Sequence, residues 1–229
     1  MVEELTTGVF WLDLGGVNAY LVDDDGALTL VDAGMPWQTD GLVDGIIEAG
    51  YTLEDLDRVL ITHYDLDHVG GLPRLDGLDV TVYTGVEAAP LVAGDRAPGW
   101  SSRKTIMQSV ASFLYSEAKL PVASVADGES IGSFTVYRTP GHTAGHVAFV
   151  SEAHSVAFLG DLVRESAGEL EHSPWFISEE TSAVRESIRA LAERAPEFDI
   201  GAMGHGVPFE TRGSERLTAL AATLPQATT

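Results

Sequence analysis

Four short apolar stretches of this chain each break off at a histidine or aspartate, three of them directly after a glycine. VLIT runs into His63, TVYRTPG into His142, SVAFLG into Asp161 and IGAMG into His205. Runs of this length read as buried strands, and a rigid sheet edge can aim side chains from distant parts of a sequence into one cleft. The densest segment is THYDLDHVGG, residues 62–71, where His63, Asp65, Asp67 and His68 fall within six positions. A lone histidine beside a glycine is more often a satisfied turn or core residue than a ligand. Five such positions together, His63, His68, His142, Asp161 and His205, point to a metal cluster. The chain has no cysteine, so any transition metal must sit on nitrogen and oxygen, the donors that zinc, iron and manganese accept.

The rest of the chain supplies sheets to carry such a cluster. GVFWLDL, VNAYLVD and ALTLVDAG, separated by GG and DDDG, predict hairpin-linked strands. PWQTDGLVDGIIEAG predicts a helix closing at Gly50, DRVLITH a buried strand, VGGLPRL the start of the next helix, and DVTVYT another strand. Residues 85–120 read as a loop plus an amphipathic helix from Ser102 to Glu117. The second half repeats the style, with strands in PVASVADGESIGSFTVYRTPGH, HVAFVSE, SVAFLGD and FDIGAMGHG and a helix in SEETSAVRESIRALAERA. The tail LPQATT is expected to fray. No linker or low-complexity segment interrupts the pattern, so residues 1–229 are expected to form one domain.

Composition narrows the class. There is no apolar run long enough to span a bilayer, and MVEELTTGVF opens on two glutamates instead of a secretory signal. A soluble, cytoplasmic protein without a membrane partner is the expectation. The formal charge of -22 rests on 35 acidic residues against 13 basic ones, only Lys104 and Lys119 being lysines. That balance fits a protein working in concentrated salt, although a GC-rich genome also favours arginine. It excludes nucleic acid as an expected partner, because a negative surface repels phosphates.

The segments THYDLDHVGG, TPGHTAGH, LGD and MGHG, in that order from about residue 8 to residue 206, resemble the metallo-beta-lactamase fold hydrolases, with an HxDxDH variant of the HxHxDH motif. The resemblance implies an α+β fold, a four-layer αββα sandwich with the cleft at one edge of two packed sheets. It puts His63, Asp65 and His142 on one divalent metal ion, Asp67, His68 and His205 on a second, and Asp161 between them. It also gives Asp67 a role in orienting the attacking water or shuttling its proton, and places Asp32 and His146 behind the ligands. His154, in SEAHSVAF, is expected to be a solvated turn residue.

Asp65 departs from the commoner imidazole. A carboxylate is shorter, harder and anionic, so it makes the inner shell less positive, raises the pKa of a bound water and favours manganese or iron. Zinc remains the first expectation for both ions, with manganese or iron as alternatives. Residues 85–120 stand where members of this family carry insertions that cover the cleft. There Trp100 reads as a lid residue and Arg103 as a grip for an anionic tail, while Phe113 and Tyr115 read as core. His172 and Trp175, in ELEHSPWFIS, are expected on a loop overhanging the cleft. The expected activity is hydrolysis of a small ester, thioester or lactone, as in the glyoxalase II and lactonase branches. A diiron redox enzyme and a phosphodiesterase of the same fold are the alternatives. A small molecule is the expected partner, and the oligomeric state, including a homodimer, stays open.

Overall fold

In the strands, alternate side chains face opposite layers, as a period of two requires. The computed structural model describes residues 1–96 and 118–225. Trp100, Arg103, Lys104, Phe113, Tyr115, the helix expected from Ser102 to Glu117 and the last four residues of the LPQATT tail lie outside that range.

The first sheet has seven strands in sequential order: β1 (Val2–Thr6), β2 (Val9–Asp13), β3 (Asn18–Asp24), β4 (Ala27–Val31), β5 (Leu56–Ile61), β6 (Thr81–Gly85) and β7 (Val122–Val125). β1 to β4 are antiparallel neighbours, whereas β4 to β7 are parallel. The second sheet orders β14 (Ile200–Met203), β11 (Val156–Gly160), β10 (Val147–Ser151), β9 (Phe134–Arg138) and β8 (Ser130–Ile131). β14 joins β11 in parallel.

Between the sheets, Trp11, Tyr20, Val22, Val31 and Leu60 meet Phe134, Val136, Phe149, Phe158 and Ile200 in one buried cluster. The alternate residues of the first sheet, among them Ala19, Leu21, Leu30, Val59 and Ile61, pack against Leu42 and Ile46 of α1 (Thr39–Glu48). On the far side, Ala148, Val150, Ala157 and Leu159 pack against Val184, Ile188 and Leu191 of α3 (Thr181–Arg194) and Leu217 of α4 (Gly213–Thr223). The result is an αββα sandwich. Among the described residues no helix is long and apolar enough to cross a membrane.

Three local expectations change. Helix does not begin at VGGLPRL: a single turn, α2 (Leu66–Val69), starts inside the motif, and Leu72–Leu75 is a separate 3-10 turn. Pro73 allows only a short helical start there. ELEH is not loop; it is β13 (Glu169–His172), paired antiparallel with β12 (Val163–Ser166). His154 is not simply solvated. Its Nε2 lies 3.3 Å from Asp24 Oδ1, in a cluster where Asp24 also accepts from Arg58 and from the Ser133 amide. A largely buried carboxylate collects whatever donors its neighbours offer.

Parallel pairing sets up the cleft. β5 ends at Ile61, and the next amide plane is tied across the sandwich, where Val147 N donates to Thr62 O at 2.9 Å. β11 and β14 run in the same direction with Gly160 opposite Met203, so the residues following each emerge at the same edge. Brought to that edge are His63, Asp161 and His205, as the strand endings predict.

Candidate metal centre

Each candidate ligand is placed by a short rigid element. His63 follows β5 directly. Asp65 is the N-cap of α2, and the one-turn helix carries Asp67 and His68. The two glycines that end the motif are needed for close approach, since a Cβ at Gly71 would lie 2.1 Å from Ala33 O. His142 sits in the turn after β9, Asp161 follows β11, and His205 follows β14. Between the last two, Gly204 leaves room for the ligands themselves, because a Cβ there would meet Asp161 Oδ1 at 2.2 Å and His68 Cε1 at 2.7 Å.

The ligand-type atoms converge. His68 Nε2 is 3.4 Å from Asp161 Oδ1 and 3.9 Å from Asp67 Oδ2. His205 Nε2 lies 3.2 Å from Asp161 Oδ2 and 3.3 Å from Asp67 Oδ2. His142 Nε2 is 3.5 Å from Asp161 Oδ2 and 2.9 Å from Asp65 Oδ2, and His63 Nε2 is 3.4 Å from the same Asp65 oxygen. Two groups have ligand atoms all within 4.8 Å of one another: Asp67, His68, Asp161 and His205, and His63, His142 and Asp161. Asp161 is common to both.

Hydrogen bonds on the far side of each ring fix which nitrogen faces the cleft. His205 Nδ1 donates to the carbonyl of Gly16 at 2.7 Å. His68 Nδ1 donates to Asp32 Oδ2 at 2.8 Å. Asp32 also accepts from Thr62 N and from the Thr62 hydroxyl, whose single proton is thereby used; the hydroxyl must then accept from His63 Nδ1, 3.0 Å away. His142 Nδ1 sits 2.9 Å from Ser173 Oγ. His63, His68 and His205 thus carry hydrogen on Nδ1 and turn Nε2 inward. His146 differs. Its Nε2 accepts the Asp161 amide at 3.1 Å, so it supports that aspartate and has no lone pair left for an ion.

The charges of the site ask for cations. Among the described residues His63 Nε2, His68 Nε2 and Asp161 Oδ1 are buried without a hydrogen-bond partner, a costly arrangement unless something positive joins them. Burial and the neighbouring His68 push the His63 imidazole below its ordinary value. Burial also opposes charge on His68, yet Asp32, Asp67 and Asp161 outweigh it and hold that ring well above the usual range. His205 is likewise pushed down by burial but lifted to about 10 by its bonds to Asp161 and Asp67. Asp161 is held well below the carboxylate range, against its burial, by His68 and His205. Protons on these rings do, in part, what divalent ions do better, and neutral imidazoles with carboxylates form a donor set that fits two such ions.

Of the remaining predicted residues, Asp32 and His146 stand directly behind the cluster, touching His68 and Asp161. His172 ends β13 and spends Nδ1 on Ser173 O at 2.7 Å, and Trp175 is exposed in the turn that follows. Sequence reasoning passed over Thr62, Ser173, Asn18 and Glu165, the last of which donates its amide to His205 O and accepts from Val207 N. Asn18 carried a signal, because asparagine is poorly suited to a buried strand.

The family model of the metallo-beta-lactamase superfamily matches residues 12–205. The chain belongs to that superfamily. Within it, this member is 28% identical over 219 residues to the uncharacterized protein YobT of Bacillus subtilis (strain 168), covering 91% of this chain and 90% of the relative. It is 27% identical to the probable metallo-hydrolase YflN of the same strain, covering 90% and 86%. A hydroxyacylglutathione hydrolase of Stenotrophomonas maltophilia (strain R551-3) is 30% identical over 147 residues, which is 62% of this chain and 43% of that enzyme, so the match spans under half the relative's length. Among solved structures, a metallo-beta-lactamase family protein of Thermus thermophilus superposes with a TM-score of 0.70 at 23% identity, covering 95% of this chain and 79% of the other. BJP-1, a subclass B3 metallo-beta-lactamase of Bradyrhizobium japonicum, gives 0.69 at 21% identity, covering 97% and 90%. At such identities the superpositions speak to the fold, the αββα sandwich described above.

Proposed function

We propose that this superfamily member is a metallo-hydrolase that cleaves a small ester, thioester or lactone with two divalent ions, zinc foremost. One ion is assigned to His63, Asp65, His142 and Asp161, the other to Asp67, His68, Asp161 and His205. The observation that carries this reading is the carboxylate of Asp161, common to two groups of inward-facing donors. Bound there, such ions supply Lewis acidity to a carbonyl oxygen and lower the pKa of water toward about 7.

The chain's own residues do the rest. Asp67 is held ionised against its burial by His68 and His205, and its side chain remains 21% exposed, facing the cleft mouth beside His205. It accepts the proton of the attacking water on a carboxylate oxygen and returns it to the departing alcohol or thiol, so no proton is lost or gained overall. The rings of His63, His68 and His142 are buried, which excludes bulk water from behind the site and keeps electrostatic interactions strong. Trp175 and Phe176 are 72% and 63% exposed in the turn Pro174–Ile177, beyond the Ser173 that touches His142. They offer an apolar platform for the acyl or leaving group. The acidic charge supports a small substrate over a nucleic acid.

The test is metal analysis of the purified protein together with turnover of a lactone, a simple thioester, S-lactoylglutathione and bis-p-nitrophenyl phosphate. Two zinc ions per chain with turnover of one of the first three supports the proposal. Phosphodiester cleavage alone, or turnover that survives complete removal of the ions, refutes it.

A further inference from the structure

His205 is the most exposed of the proposed ligands, its side chain 31% accessible where those of His63, His68 and His142 are at most 1%. It also sits on a loop, Gly204 to Val207, tied on one side to β11 and β12, where Gly204 N donates to Gly160 O at 3.0 Å, Glu165 N to His205 O at 3.4 Å and Val207 N to Glu165 Oε2 at 3.3 Å. A ligand so placed loses affinity for an ion unless its backbone is fixed by something else, because ordering the loop costs free energy at the moment of binding.

The restraint on the opposite side comes from the first hairpin of the chain. Asn18, at the start of β3, is 2% exposed. Its Nδ2 donates to Met203 O at 2.9 Å and to Gly206 O at 2.7 Å, carbonyls that lie on either side of His205. Its backbone amide donates to Gly204 O at 2.9 Å. Its Oδ1 accepts from Trp11 Nε1 at 2.8 Å, which fixes which way the amide points. Nearby, Tyr20 Oη donates to the same Met203 carbonyl at 2.7 Å. The hairpin turn before Asn18 then presents Gly16 O to His205 Nδ1. Backbone and ring of His205 are thus both gripped by residues 16–20. Only an amide side chain serves at position 18: it must offer two donors to carbonyls and one acceptor to an indole, all in a dry site.

We propose that Asn18 is the positioning residue of the second ion site: through Met203, Gly204 and Gly206 it holds the loop of His205 so that Nε2 faces Asp67 and Asp161 before any ion arrives. The inference rests on the two-ion reading above. It predicts a selective defect, since the bonds just described end on the loop of His205, a donor of the second site alone.

The experiment compares wild type with Asn18→Ala, Asn18→Asp and a stability-matched core variant, Leu42→Ala, whose side chain packs in the helix layer away from the cleft. Zinc affinity is measured by competition with a chromophoric chelator, and amide hydrogen exchange of residues 203–207 is followed in the ion-free proteins. Asn18→Ala weakens one zinc ion by roughly 10- to 100-fold, the range typical of residues that orient a ligand, and leaves the other unchanged. Asn18→Asp, which sets a carboxylate against two carbonyls, does at least as badly. Both accelerate exchange in the loop, while Leu42→Ala changes neither loop exchange nor zinc affinity. The inference is overturned if folded Asn18→Ala binds both ions as wild type does, or if Leu42→Ala weakens the same ion equally. A wild-type protein that holds fewer than two ions defeats the functional reading instead, and the exchange arm alone then decides the clamp, unchanged loop exchange in Asn18→Ala refuting it.

Discussion

Replacing Asp32 by asparagine should remove one ion without unfolding the protein, and the reason lies in where hydrogens can go. Asp32 accepts from Thr62 N at 2.9 Å, from the Thr62 hydroxyl, and from His68 Nδ1 at 2.8 Å. An asparagine has one acceptor and one donor end. If its NH2 faced Thr62 N, a side-chain donor would meet a backbone donor that cannot turn away. Facing His68 it meets a ring that can give way, by losing its Nδ1 hydrogen and keeping one on Nε2. The amide therefore keeps its oxygen on Thr62, and His68 turns a protonated Nε2 toward Asp161 and Asp67. To bind an ion the ring must revert, leaving two buried donors face to face and losing its bond to position 32. Those terms sum to about 3 kcal/mol, or roughly 100-fold in affinity, at the upper end for a residue behind a ligand. Folding should lose less, about 1–2 kcal/mol, because the variant keeps a neutral hydrogen bond in place of a charge-assisted one. Zinc stoichiometry by chelator competition and urea unfolding of the ion-free protein measure the two quantities. Wild-type affinity at both sites in a folded Asp32→Asn would refute the tautomer argument.

Other perturbations separate the two sites. Asp161→Ala should release both ions, whereas His205→Ala should release one, as counted by elemental analysis; equal losses would mean the carboxylate is not common to both. Asp65→His should leave the ion pair one unit more positive and shift the midpoint of the pH–rate profile to lower pH, with an unmoved midpoint placing residue 65 outside the inner shell. At the opposite end of the sheets, burial would raise Asp24, but the bonds from Ser133 and His154 and the nearby Arg58 hold it below its ordinary value. Its stabilising contribution is present above about pH 4 and lost as pH falls through the lower folded value. The stability difference between wild type and Asp24→Asn should therefore shrink on acidification from about pH 6 to about pH 3 in urea titrations, and a constant difference would count against the ion-paired description.

The convergence of the candidate ligands could be read before the fold because three of them, His63, Asp161 and His205, stand where a buried strand must end. VLITH, SVAFLGD and IGAMGH combine a run that only a sheet interior accepts with a side chain such an interior would reject, so the boundary and the function share one signal. Where polarity is mixed the signal fades. The β12–β13 ribbon, VRESAGELEH, carries too few apolar residues to show a period of two. The C-terminal helix went unread although Leu217, Leu220, Ala221 and Leu224 repeat at helical spacing. It follows Arg212, held at φ +61°, and starts at Gly213, neither a recognised helix opening. Least legible were partners chosen by distance in space: nothing in a linear pattern links Asn18 to Gly206 or Ser173 to His142.

The parallel pairing of β11 with β14 has a consequence for synthesis. Residues 63 to 161 leave the ribosome well before residue 205, so a nascent chain can gather the donors of the first site while the second still lacks its last imidazole. Only when β14 adds itself to the edge of its sheet, and the opening hairpin closes over it, is the cleft whole. On the proposed assignment, a product truncated before residue 205 would carry the donors of the first site without the last imidazole of the second.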